Sequence, residues 1–123
     1  MSMHALPHPF DDRDGDIWLD GRFVPWREAR IHILSHGLHY GSGVFEGVRA
    51  YGGKPFKLEE HTDRLFASAA LMDMRIPFTP ADINSAVLEA VRRNQVDYGY
   101  IRPFAWRGSE MMAVSAQHTT IHV

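Results

Sequence analysis

The 123-residue sequence contains no cysteine. That excludes disulfides, thiolate nucleophiles and cysteine-bound metal, and a cytoplasmic protein is expected rather than a secreted one. Lysine is nearly as scarce, with only Lys54 and Lys57 present. Lys54 adjoins a Gly-Gly turn and Lys57 a strand end, so neither is expected to have the burial that lowers a lysine pKa for amine chemistry. No excess of positive charge is available to hold nucleic acid or an anionic membrane: the formal net charge is -2 with histidine neutral. No apolar run approaches the roughly 20 residues that span a bilayer. The first residues, MSMHALPHPFDDRDG, lack the basic and apolar regions of a signal peptide and are expected to form a flexible leader over 1–15.

What remains is an ordinary globular composition, 45% hydrophobic and 23% charged, sufficient for one modest domain over 16–123. Residues 17–26 (IWLDGRFVPW) hold two apolar runs around Asp20-Gly21, a two-residue hairpin signal. Pro25 puts the second run at a sheet edge or ends it. Residues 29–34 alternate, as an extended lead-in or a short strand. Residues 44–51 are predicted as one strand, turned back at Gly52-Gly53 into 54–58. A helix is expected over 59–74, with Leu65, Ala69 and Met72 on one stripe. A second helix starts with Thr79 as N-cap, Pro80 in the first turn and Asp82 favouring the helix dipole. Its buried face is Ile83, Ala86, Val87, Ala90 and Val91, fraying near Asn94. Residues 98–106 return to strand, and 119–123 begin another. Val123 falls inside that strand, so the chain is expected to be part of something longer. The expected fold class is α+β, a small antiparallel sheet with two helices packed on it.

Candidate chemistry gathers in 34–51, LSHGLHYGSGVFEGVRAY. His32, His36 and His39 would share one face of a helix, as metal ligands can. Gly37 and the glycines after it argue against a helix there, and no cysteine or placed carboxylate completes a set, so no metal is expected. Gly41-Ser42-Gly43 with Gly47 imitates a phosphate loop, but the next segment is strand-like and no Gly-Lys-Ser/Thr follows. Arg49 and Arg102 lie inside apolar strands with aromatic neighbours. Alternation puts Phe45, Gly47, Arg49 and Tyr51 on one face, and Tyr100, Arg102 and Phe104 on another. Solvent-facing arginines would satisfy the same pattern. The guanidinium fork nevertheless suits bidentate capture of carboxylate or phosphate, and aromatic walls around a cation suit a small organic acid with an apolar body. No Ser-His-Asp arrangement stands out. The residues alone describe a ligand-facing domain without an evident catalytic group.

The segments IWLDGRFVPW, SHGLHYGSGVFEGVRAY, EEHTDRLFASA and YIRP, in that order, resemble the branched-chain amino-acid aminotransferases among the class IV, or fold-type IV, pyridoxal-phosphate enzymes. The resemblance runs over 16–123. It implies the small N-terminal domain of such an enzyme, with the large catalytic domain absent and pyridoxal 5'-phosphate as the cofactor of the whole protein. Arg64, in HTDRL, would bind the cofactor phosphate. Tyr40 and Phe45 would shape the substrate side-chain pocket, one ring crossing from the partner subunit of a homodimer or higher homo-oligomer. Gly47 and Arg49 would continue that wall, and Tyr100 and Arg102 would meet substrate carboxylates. The parent enzyme would move the amino group of leucine, isoleucine or valine to 2-oxoglutarate, with amino acids and 2-oxo acids as its small-molecule partners. The Schiff-base lysine would lie beyond Val123, so no residue here is assigned as catalytic and the chain alone is expected to be inactive. Two alternatives stay open. One is a sibling enzyme: a D-amino-acid transaminase, an amine transaminase or an aminodeoxychorismate lyase. The other is a non-catalytic dimerisation or binding domain.

Overall fold

Two tight turns close the first hairpins, as the sequence predicts. Strands β1 (Asp16–Leu19) and β2 (Arg22–Pro25) pair antiparallel about Asp20-Gly21. Further on, Gly52 and Gly53 have φ of 58° and 75°, the left-handed values a two-residue hairpin needs and glycine adopts freely. The computed structural model describes residues 8–123. Of the leader expected over 1–15, residues 1–7 lie outside the described residues. Residues 8–15 follow the body of the domain. The Arg13 guanidinium donates to the His8 and Pro9 carbonyls, and the Trp26 indole to the Phe10 carbonyl. Arg27 pairs with Asp12 and Asp14, each at 2.8 Å.

A short helix, α1 (His36–Tyr40), precedes the next strands. The run predicted as one strand over 44–51 is two: β3 (Gly43–Phe45) and β4 (Val48–Tyr51). The run over 98–106 is likewise divided, into β6 (Gly99–Ile101) and β7 (Phe104–Arg107). β3 pairs with β7 and β4 with β6, so the break at Glu46-Gly47 faces the break at Arg102-Pro103. Pro103 is the physical reason, because it has no N–H to give to a ladder. Its carbonyl still accepts from the Glu46 N–H at 2.9 Å, which holds the two breaks together. β5 (Lys54–Pro55) flanks β4, and β8 (Ile121–His122) flanks β7. The α+β class therefore holds, with the antiparallel structure divided, among the described residues, into three small sheets. Residues 29–34 form no strand and end in a turn at Ile33-Leu34, closed by the Ser35 N–H to the His32 carbonyl at 3.0 Å.

Two longer helices pack together. α2 (Leu58–Leu71) buries Thr62, Leu65 and Ala69. Met72, expected on that stripe, is the C-cap instead and is exposed. α3 (Pro80–Arg93) buries Ile83, Ala86, Val87 and Val91. It opens with a reciprocal cap: the Asp82 N–H donates to Thr79 Oγ1, and the Thr79 N–H to Asp82 Oδ2. Asn94 caps its other end and ties the first hairpin to it through the Asp16 N–H and carbonyl, each at 2.9 Å. The core joins Leu65, Ala69, Ile83, Ala105, Ile121 and Val123, with Trp18 and Phe78 packed against it. Among the described residues no helix is long and apolar enough to cross a membrane.

Candidate functional site

The glycine-rich stretch contains a helix that the sequence argues against, since α1 lies within it. It forms despite Gly37 because its ends are held from outside. The His36 N–H donates to the Gly108 carbonyl at 2.8 Å, and Gly41 closes the turn in a left-handed conformation. The histidines serve the chain's own backbone and side chains. His36 is buried between Ser42 Oγ at 2.6 Å and the Ala113 carbonyl at 2.7 Å. His39 meets the Ile33 carbonyl, and His32 accepts the Leu34 N–H. Among the described residues no three such groups gather as metal ligands.

Residues placed on two faces by alternation form one wall. Arg49 lies across the ladder from Tyr100, and Phe45 across from Phe104. Phe45, Arg49, Tyr51, Tyr100, Arg102 and Phe104 all face solvent. The Arg102 guanidinium sits 3.6 Å above the Phe45 ring, within cation–π range. Its Nη1 also reaches towards Tyr100 Oη at 3.4 Å. The Tyr100 ring lies directly over Gly47, where a Cβ would come within 2.7 Å of Oη and 2.8 Å of the ring. Gly47 is therefore the floor on which Tyr100 rests. Tyr40 stands apart from this group. It stacks on His36 at 4.3 Å, its hydroxyl directed to the Met112 carbonyl.

Behind the wall lies a group that sequence patterning does not single out. Glu46 is 6% exposed. Its Oε2 accepts from Arg64 Nε and its Oε1 from Arg64 Nη2, both at 2.8 Å, and Oε1 also meets His61 Nδ1 at 2.8 Å. The Arg64 hydrogen bonds are the main reason the Glu46 carboxyl is held below the usual carboxylate range, against the opposing effect of burial. The same contact raises the Arg64 pKa. Two signals mark its members singly, though not their meeting. Glu46 is an acid in phase with the inward positions Val48 and Ala50, and His61 and Arg64 are three apart on a helix, hence on one side of it. The Arg64 side chain remains 67% exposed, so it can take an anion. Lys54 and Lys57 are both exposed, and Lys57 stands near Glu60 and the Phe56 ring.

Residues 43–123 match the family model for amino-transferase class IV. The chain is 53% identical over 116 residues to a branched-chain-amino-acid aminotransferase of Pseudomonas aeruginosa, covering 91% of this chain and 38% of that protein. It superposes with a TM-score of 0.81 and 41% identity on the T.th. branched-chain amino acid aminotransferase complexed with N-(5'-phosphopyridoxyl)-L-glutamate, covering 89% of this chain and 39% of that one. The enzyme of the archaeon Thermoproteus uzoniensis, solved with norvaline, gives 0.83 and 36% identity over the same 89%, and 39% of its own length. The chain thus spans under two-fifths of the length of these relatives.

Proposed function

Because the chain belongs to the amino-transferase class IV family, we propose that it is the N-terminal small domain of an aminotransferase. The enzyme would move the amino group of leucine, isoleucine or valine to 2-oxoglutarate. One observation carries this reading. Phe45 lies under Arg102 and the next residue, Glu46, holds Arg64, so one short stretch supports an aromatic surface, a cation read as meeting carboxylates and a cation read as meeting phosphate. The relative solved with a phosphopyridoxyl-glutamate adduct supports pyridoxal 5'-phosphate as the cofactor.

Arg64 fits a phosphate. Glu46 occupies the Nε–Nη2 edge of its guanidinium, leaving the Nη1–Nη2 edge for two phosphate oxygens. When bound, the cofactor supplies the electron-withdrawing ring that allows an amino group to leave one carbon skeleton and join another. The domain's own residues bind and orient. Arg102, propped on Phe45, attracts a carboxylate. Tyr100, seated on Gly47, fixes the ring beside it. The apolar side chain of a branched amino acid lies on the aromatic surface, and the longer acidic chain of glutamate reaches the cation. Arg49 extends the positive edge of the wall. The amine nucleophile is assigned to a lysine outside these 123 residues, and the chain alone is proposed to be inactive.

The enzyme would act as a homodimer or higher homo-oligomer. The exposed apolar residues Ile31, Ile33, Leu34 and Leu38, together with Tyr40, are suited to meet a second copy, and Tyr40 would cross into its pocket. The whole reading is tested by supplying the intact gene product with leucine, 2-oxoglutarate and cofactor. Glutamate is the expected product, and its absence at any enzyme concentration would remove the proposal.

A further inference from the structure

Three consecutive residues each support a different side chain of the candidate site. Phe45 lies under Arg102, Gly47 under Tyr100, and between them Glu46 turns inward to Arg64. The Glu46 carboxylate is buried and fully engaged, whereas the Arg64 guanidinium is largely open to solvent. That asymmetry gives Glu46 the fixed role. Its backbone is pinned by the Glu46 N–H to Pro103 carbonyl bond, and its second partner, His61, is half-buried on the first turn of α2.

We propose that Glu46 is the positioning residue for the cofactor's phosphate. By taking one edge of the Arg64 guanidinium it aims the other edge outward as a preformed two-donor fork. The inference rests on the reading of Arg64 as the phosphate-binding cation. An unheld arginine on an exposed helix face loses side-chain freedom each time it binds an anion, and a preorganised fork avoids that loss. It also places Nη1 and Nη2 so that both can meet one phosphate. Glu46 brings a negative charge close to a dianion, which opposes binding. His61 on the same carboxylate oxygen offsets that charge when protonated. Glu46 touches no atom of the cofactor and acts through Arg64.

The test is a titration of the intact gene product with pyridoxal 5'-phosphate and, separately, with pyridoxal, which has no phosphate. Both are followed by absorbance. Four proteins are compared: wild type, Glu46→Gln, Arg64→Ala and the double variant. Glu46→Gln is expected to weaken the phosphorylated form about tenfold, the scale of one hydrogen bond to a charged group, with pyridoxal unchanged. In the Arg64→Ala background the same substitution should add nothing, because the two residues form one unit. Equal losses for both ligands, or no loss for either, would overturn the role of Glu46. If Arg64→Ala leaves the preference for the phosphorylated form intact, the assignment of Arg64 itself fails, and the inference fails with it. Should Glu46→Gln not fold, Glu46→Asp keeps the charge on a shorter arm. It should produce a smaller loss confined to the phosphorylated ligand, and an equal loss for both ligands counts against the proposal.

Discussion

At the scale of single residues, Gly47 is a position with little room for a side chain. A methyl group there would land 2.7 Å from the Tyr100 hydroxyl, so Gly47→Ala must lift the ring from its seat. Displacing an orienting group by about 1 Å can cost on the order of 100-fold in rate. The expected outcome in the intact gene product is at least roughly a tenfold fall in kcat/KM for leucine, on that same scale, with the unfolding midpoint nearly unchanged. Phe45→Leu removes the ring 3.6 Å beneath Arg102. The cation–π contact at so exposed a site is worth about 0.5–1 kcal/mol. A rise in KM of about two- to fivefold for 2-oxoglutarate is expected on that basis, measured beside a neutral 2-oxo acid as the control. The wall residues were legible in the sequence because aromatic and arginine side chains alternate there. Glu46 was not, because its meaning depends on α2 bringing Arg64 and His61 to it, and no spacing along the chain records that docking.

At the scale of elements, the two longer helices follow their 3.6-residue patterns apart from Met72, and α3 begins at its expected cap. The start of α3 rests on Thr79, whose hydroxyl accepts the Asp82 N–H at 3.1 Å. Thr79→Ala should cost about 1 kcal/mol, read as a lowered urea midpoint with an unchanged slope. Near the end of the same helix, Glu89 accepts from Arg92 at 2.7 Å and Arg93 at 2.9 Å, which lower its pKa from 4.5 to about 2. A depressed folded value means that the unfolded chain takes up the proton first as pH falls. The stabilisation is complete above the ordinary value and disappears as pH drops from 4.5 towards 2. Wild type should exceed Glu89→Gln in stability near neutral pH, and the difference should vanish in that acid window. Urea titrations at a series of pH values would measure it. The breaks in the strands were invisible to pattern reading for a plain reason. Inward and outward positions stay in phase across the first of them: Glu46, Val48 and Ala50 are buried, while Phe45, Arg49 and Tyr51 are exposed. Hydrophobic alternation reports which way a side chain faces, and it stays silent when a ladder pauses without a change of phase. Helix α1 escaped for a related reason, since what holds it is the Gly108 carbonyl, far away in sequence.

At the scale of the whole molecule, Arg107 joins parts that are distant in the chain. It is buried on β7 and donates to the Asp73 carbonyl at 2.8 Å, the Ala116 carbonyl at 2.9 Å, Thr119 Oγ1 at 3.1 Å and the Met72 carbonyl at 3.3 Å. One side chain thereby fastens the end of α2 to the segment that leads into β8. Arg107→Met keeps much of the bulk and removes every donor. It should destabilise by about 2–4 kcal/mol, since several buried acceptors lose their partner together, and it should speed amide exchange over 109–119. The paired breaks at Glu46-Gly47 and Arg102-Pro103 have a consequence of a different kind: they turn chain length into a constraint. Phe45, Glu46 and Gly47 serve three neighbours in three directions only because each occupies its own place in the count. A single residue inserted between Val44 and Phe45 would exchange inside for outside. The carboxylate would be turned to solvent and an aromatic ring into the helices, even though every side chain needed for the site was still present.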